Sequence, residues 1–252
     1  MTNKLHVFLF AFVFMSCCCD NRTHKYKSTE NEKPCMIHIR NFTVTEETLT
    51  LDYYVENPFA YNIWICEDID IFGELNVETR INVEKLQIKC RFNLENNILL
   101  DEAVLAKYHR LSPKDSLLGK IHLKIPVRNA SPVYDFDEYW KKRKQVVLHQ
   151  VVFQVGYFEG NLPDMLYESI EEGKRNPDNE DLYVEALYLE GVLKGSELNC
   201  SNDIFYIPHL WKGLRKEKST KVIITDVDIP CSIVIEYMNI GDVYQYRGRL
   251  PI

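Results

Sequence analysis

The feature that most constrains this chain is an alternation of apolar and polar residues with a period of two. Leu49, Leu51, Tyr53 and Val55 fall on one side of an extended segment, with Thr48, Thr50, Asp52 and Glu56 on the other. Leu86, Ile88, Cys90 and Phe92 alternate with Lys85, Gln87, Lys89 and Arg91, and Ile121, Leu123, Ile125 and Val127 with Lys120, His122 and Lys124. Successive side chains of a strand point to opposite faces, so each pattern marks a strand with one dry and one wet side. Turn formers punctuate the segments: Asn57-Pro58, Gly73, Asn96-Asn97 and Ser112-Pro113-Lys114-Asp115. Strands with a polar outer face belong in antiparallel sheets packed as a sandwich. The 15 tyrosines fit the same reading, because aromatic rings suit a half-buried pleated surface.

The rhythm breaks at Arg128 to Arg143, where Asn129, Pro132 and a run of charge predict a long connection. Val146 to Phe158 reads as a strongly buried strand. Leu162, Met165, Leu166, Ser169 and Ile170 then fall at helical spacing, with Asn161 as N-cap, Pro163 in the first turn and Gly173 near the end. Asn179 to Lys194 is read as a second helix, because Glu180 and Asp181 suit a first helical turn, although Tyr183, Val184, Tyr188 and Leu189 also fit a strand. Val222 to Ile229, Cys231 to Tyr237 and Asp242 to Arg247 return to strand patterns. The expected fold is mainly β with minor α: an antiparallel sandwich over 35–158 and an α+β portion over 159–252, which one domain can hold together. At 252 residues the chain buries a core without metal or disulfide support.

The N-terminus carries the most specific functional signal. Lys4 and His6 precede a nine-residue apolar run, Val7 to Met15, far short of the roughly 20 residues needed to span a bilayer. A basic start, a short apolar run and a small residue are the parts of a secretory signal. Ser16 then precedes Cys17, Cys18 and Cys19. This arrangement resembles the lipobox of bacterial lipoproteins, with Phe14 where members of that class usually have Leu and Met15 where they have a smaller residue. The resemblance implies removal of residues 1–16 and lipidation of Cys17, the only one of the three cysteines directly preceded by a small residue other than cysteine. The alternatives are a cleaved, unlipidated signal peptide and a buried N-terminal strand. Asp20 to Pro34 has no apolar residue except Tyr26, so 17–34 is expected to be a flexible, lipid-anchored tether. A second, shorter match lies at Leu111-Ser-Pro-Lys-Asp-Ser-Leu117, which resembles a turn common in immunoglobulin-like accessory domains, with Lys114 at the usual Gly position.

The remaining chemistry is sparse. Cys35, Cys66, Cys90, Cys200 and Cys231 show no zinc-knuckle or redox spacing, and export leaves one or more disulfides open, with no pairing deducible. Cys90 lies on an apolar side and is expected to be a buried, inert thiol; His149 shares the side of Val147, Val151 and Phe153 and is expected in the core. Glu67, Asp68 and Asp70, then Asp135, Asp137 and Glu138, then Pro177 to Asp181 are acidic groups best explained as solvated turns and a helix N-terminus. The basic stretches Trp140 to Lys144 and Lys212 to Lys221 read as solvated segments balancing an acidic surface. Phosphate-cradling Gly loops, nucleophile elbows and His-Glu-x-x-His are absent from the sequence. Only Lys4 of the 30 basic residues falls in Met1–Ser16, so the exported chain carries 29 against 37 acids, a net charge of −8. That balance excludes a general nucleic-acid binder.

These features predict a cell-envelope lipoprotein, anchored in the cell or outer membrane with its body in the periplasm or outside the cell. Its expected role is non-enzymatic: binding an envelope protein or polysaccharide, or supporting envelope structure, with no metal or cofactor. A carboxylate-dependent hydrolase, acting on glycosides or similar bonds, is the alternative.

Overall fold

Thr48–Glu56, the segment with the cleanest alternation, becomes the middle strand of a three-stranded antiparallel sheet, with Leu49, Leu51, Tyr53 and Val55 all buried. The computed structural model describes residues 26–27, 36–69, 77–82, 84–92, 104–130, 140–195 and 201–237. The strands in chain order are β1 (Tyr26–Lys27), β2 (Ile37–Val44), β3 (Thr48–Glu56), β4 (Ile63–Ile69), β5 (Val77–Ile81) and β6 (Leu86–Cys90). They continue as β7 (Leu105–Leu111), β8 (Ser116–Lys124), β9 (Val127–Arg128), β10 (Trp140–Glu159), β11 (Ile204–Pro208) and β12 (Lys218–Tyr237). Two helices, α1 (Leu162–Arg175) and α2 (Glu180–Gly195), lie between β10 and β11, and a 3-10 turn spans Lys212–Lys216. The protein is therefore mainly β with two helices among the described residues.

The small sheet runs β2-β3-β8. The larger one, of nine strands among the described residues, runs β1-β12-β10-β4-β7-β11, with β6 beside β10, β5 beside β6 and β9 beside β12. Its spine is the antiparallel pair β10–β12, whose register runs from Trp140 opposite Tyr237 to Tyr157 opposite Lys218. Most pairings are antiparallel, as the half-wet strands predict, but β6 joins β10 and β9 joins β12 in parallel. The sheets are thus mixed. Within the expected tether, Tyr26 and Lys27 pair with Ile224 and Ile223 of β12.

Two cores follow. In the first, Leu49, Leu51 and Tyr53 from the small sheet meet Ile88, Val151, Phe153, Ile224 and Ile229 from the large one. In the second, α1 and α2 cover β4, β7 and β11 through Trp64, Tyr108, Phe158, Leu166, Leu189 and Trp211. Strand β10 serves both, because consecutive residues of a strand face opposite ways: Tyr157 belongs to the first core and Phe158 to the second. Strand β12 lies in the first core through Val222, Ile224, Val227, Ile229 and Cys231, far along the chain from the segments it packs against. Helix α1 matches its predicted spacing, with Leu162, Leu166 and Ile170 buried. Its Gly173 sits where a Cβ would stand 2.4 Å from the Leu182 carbonyl oxygen, so the two helices can approach only without a side chain there.

Four expectations need correction. Trp140 to Arg143 is not connection but the start of β10, because β12 continues far enough to pair with it. Val222–Ile229 and Cys231–Tyr237 are one strand, uninterrupted at Pro230. Arg91 is buried, not on the wet face with Lys89: β6 ends at Cys90, and Arg91 takes a left-handed φ of 61°, which turns its side chain inward. His149 is exposed rather than in the core. Between Leu148 and Gln150 the register of β10 jumps from Ile229 to Thr225, so three residues of β12 oppose one of β10. That bulge resets which face each side chain takes: Val147 and His149 point outward while Leu148 and Val151 stay buried. Asp242 to Arg247 lies outside the described residues.

Candidate functional site

Chemically distinctive side chains gather in two places. The first is buried between the sheets. Tyr53 and Cys90 both face the first core, and their Oη and Sγ atoms lie 3.2 Å apart. Arg91, only 5% exposed, donates from Nε to the Tyr53 hydroxyl at 2.8 Å, from one terminal nitrogen to the Cys66 carbonyl at 3.3 Å and from the other to the Leu118 carbonyl at 2.9 Å. The guanidinium uses neutral oxygens, and its fork suits them because they converge from different strands. Cys66 stands at a register shift in β4, and Leu118 lies on β8, the outer strand of the small sheet among the described residues. Arg91 thus ties β4 and β8 to the Tyr53 hydroxyl of β3 through one guanidinium.

Burial pushes the Cys90 thiol up to about 11, and the neighbouring guanidinium only partly opposes that. The Tyr53 phenol is also raised, first by burial and then by the adjoining thiol. Neither group ionises near neutral pH, so the cluster is no nucleophile. It is a rivet between two sheets. Cys90 is fully buried, as the alternation predicts, and Cys66, Cys90 and Cys231 are all unbridged and buried.

The second cluster opens to solvent where the β3–β4 loop meets the end of β10 and the start of β12. Asn57, itself buried, shapes the loop: its amide nitrogen donates to the carbonyls of Tyr61 at 2.8 Å and Leu111 at 2.9 Å, and its amide oxygen accepts the Phe59 N–H at 3.0 Å. Phe59 stacks on Tyr61 with ring centres 5.0 Å apart and planes 10° apart, and on Tyr157 at 6.2 Å and 25°. The stack runs from the core, where Tyr157 is buried, to the surface, where Tyr61 is 44% exposed. Beside it, Glu159 accepts a hydrogen bond from the Lys218 ammonium. Burial and then the Glu159 charge push the Tyr157 phenol up to about 12, and the same causes raise Tyr61. An aromatic shelf thus borders a carboxylate, an ammonium and a phenol.

An open groove of about 510 Å³ crosses the outer side of the small sheet, lined by Arg40, Asn41, Asp52, Leu118 and Lys120 among others. Lys120 Nζ lies 3.4 Å from Asp52 Oδ1 as an ion pair without hydrogen-bond alignment. Asp52 is the only carboxylate in this groove.

The sequence-named candidates are scattered. Cys17, Cys35, Cys200, Asp70, Asp135, Asp137 and Glu138 lie outside the described residues, as do 1–16. Glu67 faces Lys107 at 2.9 Å and His109 at 4.0 Å across β4 and β7. Asp178 is exposed in the interhelical turn, and Asn179 caps α2 by accepting the Leu182 N–H at 3.3 Å. His149 pairs with Asp228 at 2.9 Å in solvent. The basic stretches meet acids, Lys142 with Glu236 and Lys212 with Glu185, as expected of a balanced surface. No group of three or more metal-ligating side chains is gathered among the described residues, and no helix among them is long and apolar enough to cross a membrane. Sequence reasoning missed Arg91 and the Tyr61–Glu159–Lys218 cluster. The second joins loop, strand end and strand start from 61 to 218, and only the Asn57-Pro58 turn signal pointed toward it.

No protein-family model matches this chain, and neither a curated protein nor a solved structure is detectably similar to it.

Proposed function

We propose that the protein is an exported cell-envelope lipoprotein, held by a lipid on Cys17 in the cell or outer membrane, whose body binds a partner without catalysing a reaction. One observation carries the reading: Ser16-Cys17 directly follows the nine-residue apolar run Val7–Met15 behind a basic start. The net charge of −8 after signal removal supports an envelope rather than a nucleic-acid partner. Support for a binding role comes from the aromatic shelf at Tyr61. A hydrolase built on paired carboxylates needs two of them roughly 5–10 Å apart across a cleft; among the described residues, the groove on the small sheet is lined by one, Asp52. An immunoglobulin-like origin for the two-sheet portion belongs to the same proposal. Facing sheets with a shared core and the Ser112–Asp115 turn before β8 support it.

The test is intact mass of the membrane-fraction protein. The expected species has lost Met1–Ser16 and carries acyl chains on Cys17, and Cys17→Ser moves the protein to the soluble fraction. A soluble mature protein beginning at another residue would overturn the reading.

A further inference from the structure

We propose that the Tyr61 shelf and the Glu159–Lys218 pair form a subsite for one pyranose ring of a neutral envelope polysaccharide. The inference rests on the exported, partner-binding reading above and names the chemistry of the partner. A sugar ring presents a face of C–H groups and a rim of hydroxyls. It is held by a flat exposed aromatic ring with mixed donors and acceptors at its edge. Tyr61 supplies the ring: Phe59 covers one face, so the 44% exposure leaves the opposite face and edge for a ligand. Phe59 in turn rests on buried Tyr157, and Asn57 holds the loop backbone by three hydrogen bonds. The shelf is therefore set before a ligand arrives, which limits the ordering cost of binding.

The rim chemistry is also present. Glu159 accepts, Lys218 donates, and the Tyr61 hydroxyl, close enough to Glu159 to feel its charge, can do both. Glu159 and Lys218 neutralise each other, so the subsite has no net charge with which to select an anionic or cationic ligand. That balance favours a neutral saccharide over an acidic peptide or a phosphate.

The experiment is co-sedimentation of detergent-solubilised full-length protein with insoluble chitin, an uncharged N-acetylglucosamine chain, and, separately, with microcrystalline cellulose. The wild type is expected to sediment with at least one of them. Tyr61→Ala should weaken that binding about tenfold, the scale of one lost aromatic contact, while Tyr61→Phe keeps the ring and most of the binding. Thermal unfolding of both variants should match wild type, because Tyr61 lies at the surface. Failure to bind either glycan, or unchanged binding by Tyr61→Ala, overturns the subsite. A protein that carries lipid on Cys17 yet ignores both glycans sinks this inference and leaves the lipoprotein reading standing.

Discussion

The Arg91 Nε donates to the Tyr53 hydroxyl at 2.8 Å, and this one bond ties a residue just past the end of β6 to the middle strand of the opposite sheet. The same guanidinium reaches a carbonyl of β4 and one of β8, so a single side chain links three strands across the first core. A buried charge normally costs stability unless it is fully hydrogen-bonded. Here the compensation comes from the Tyr53 hydroxyl and two backbone carbonyls. The left-handed backbone at Arg91 is the local strain that this arrangement carries.

Arg91→Ala is expected to lower stability by about 3 kcal/mol, since it removes the three hydrogen bonds of a buried guanidinium and leaves a cavity between the sheets. Arg91→Lys should cost nearly as much. An ammonium keeps the charge but cannot span Tyr53, Cys66 and Leu118 at once. Urea unfolding of both variants measures this, and a wild-type midpoint for either would refute the rivet.

Gly119 lies opposite Tyr53 in the β3–β8 register, and a Cβ there would stand 2.2 Å from the Tyr53 ring carbon Cζ. Gly119→Ala must therefore displace a ring that is itself fixed by Arg91 and by edge-to-face contact with Phe153 at 4.7 Å. The expected loss is about 1–3 kcal/mol. Because the clash is with Tyr53, the double variant with Tyr53→Leu should cost less than the two single losses added together. Strict additivity in denaturant melts would show that the ring is not what excludes a side chain.

Stability should fall at alkaline pH, and the thiols set the window. The Cys90 and Cys231 thiols are raised from an ordinary value near 9 to about 11, in both cases chiefly by burial. Between those values the unfolded chain has released protons that the folded one still holds, so rising pH favours unfolding. The contribution is intact below pH 9 and lost on the way to 11, with a slope of about 1.4 kcal/mol per pH unit for each thiol. Cys90→Ala should flatten the slope in this range while costing roughly 1–3 kcal/mol at neutral pH from lost packing. Rapid alkylation of native Cys90 by iodoacetamide at pH 7 would contradict the burial on which this rests.

The His149–Asp228 pair looks like a catalytic dyad in outline only. Its side chains are 72% and 68% exposed, where water competes for the hydrogen bond and screens the charges. His149→Ala and Asp228→Ala should each change stability by no more than about 0.5 kcal/mol. A larger loss in thermal melts would mean that the pair, and not the backbone, holds the bulge.

Local pattern settled much of the secondary structure. Alternation in 48–56, 86–90 and 121–127 is a property of neighbouring residues, so the dry faces of β3 and β6 and the buried side of Cys90 were readable in advance. Helical spacing did the same for α1, and the acidic pair Glu180 and Asp181 favoured a helix for α2, whose cap at Asn179 only the structure revealed. The lipobox resemblance at Ser16-Cys17 is likewise a linear feature, on which the export proposal rests. What failed were points where a distant partner overrides local order. His149 left the core because β12 inserts extra residues opposite it. Arg91 entered the core because its backbone turns where β6 stops, toward the Tyr53 hydroxyl and carbonyls of two other strands. The Tyr61 cluster joins residues more than 150 positions apart in the chain, and the β10–β12 pairing that forms the large sheet's spine joins residues 61 to 97 positions apart. Side-chain periodicity reports only which face of its own strand a residue takes. Which strands meet, in what register, and which side chains they bring together are set by long-range packing, and the shelf, the rivet and the bulge all follow from that.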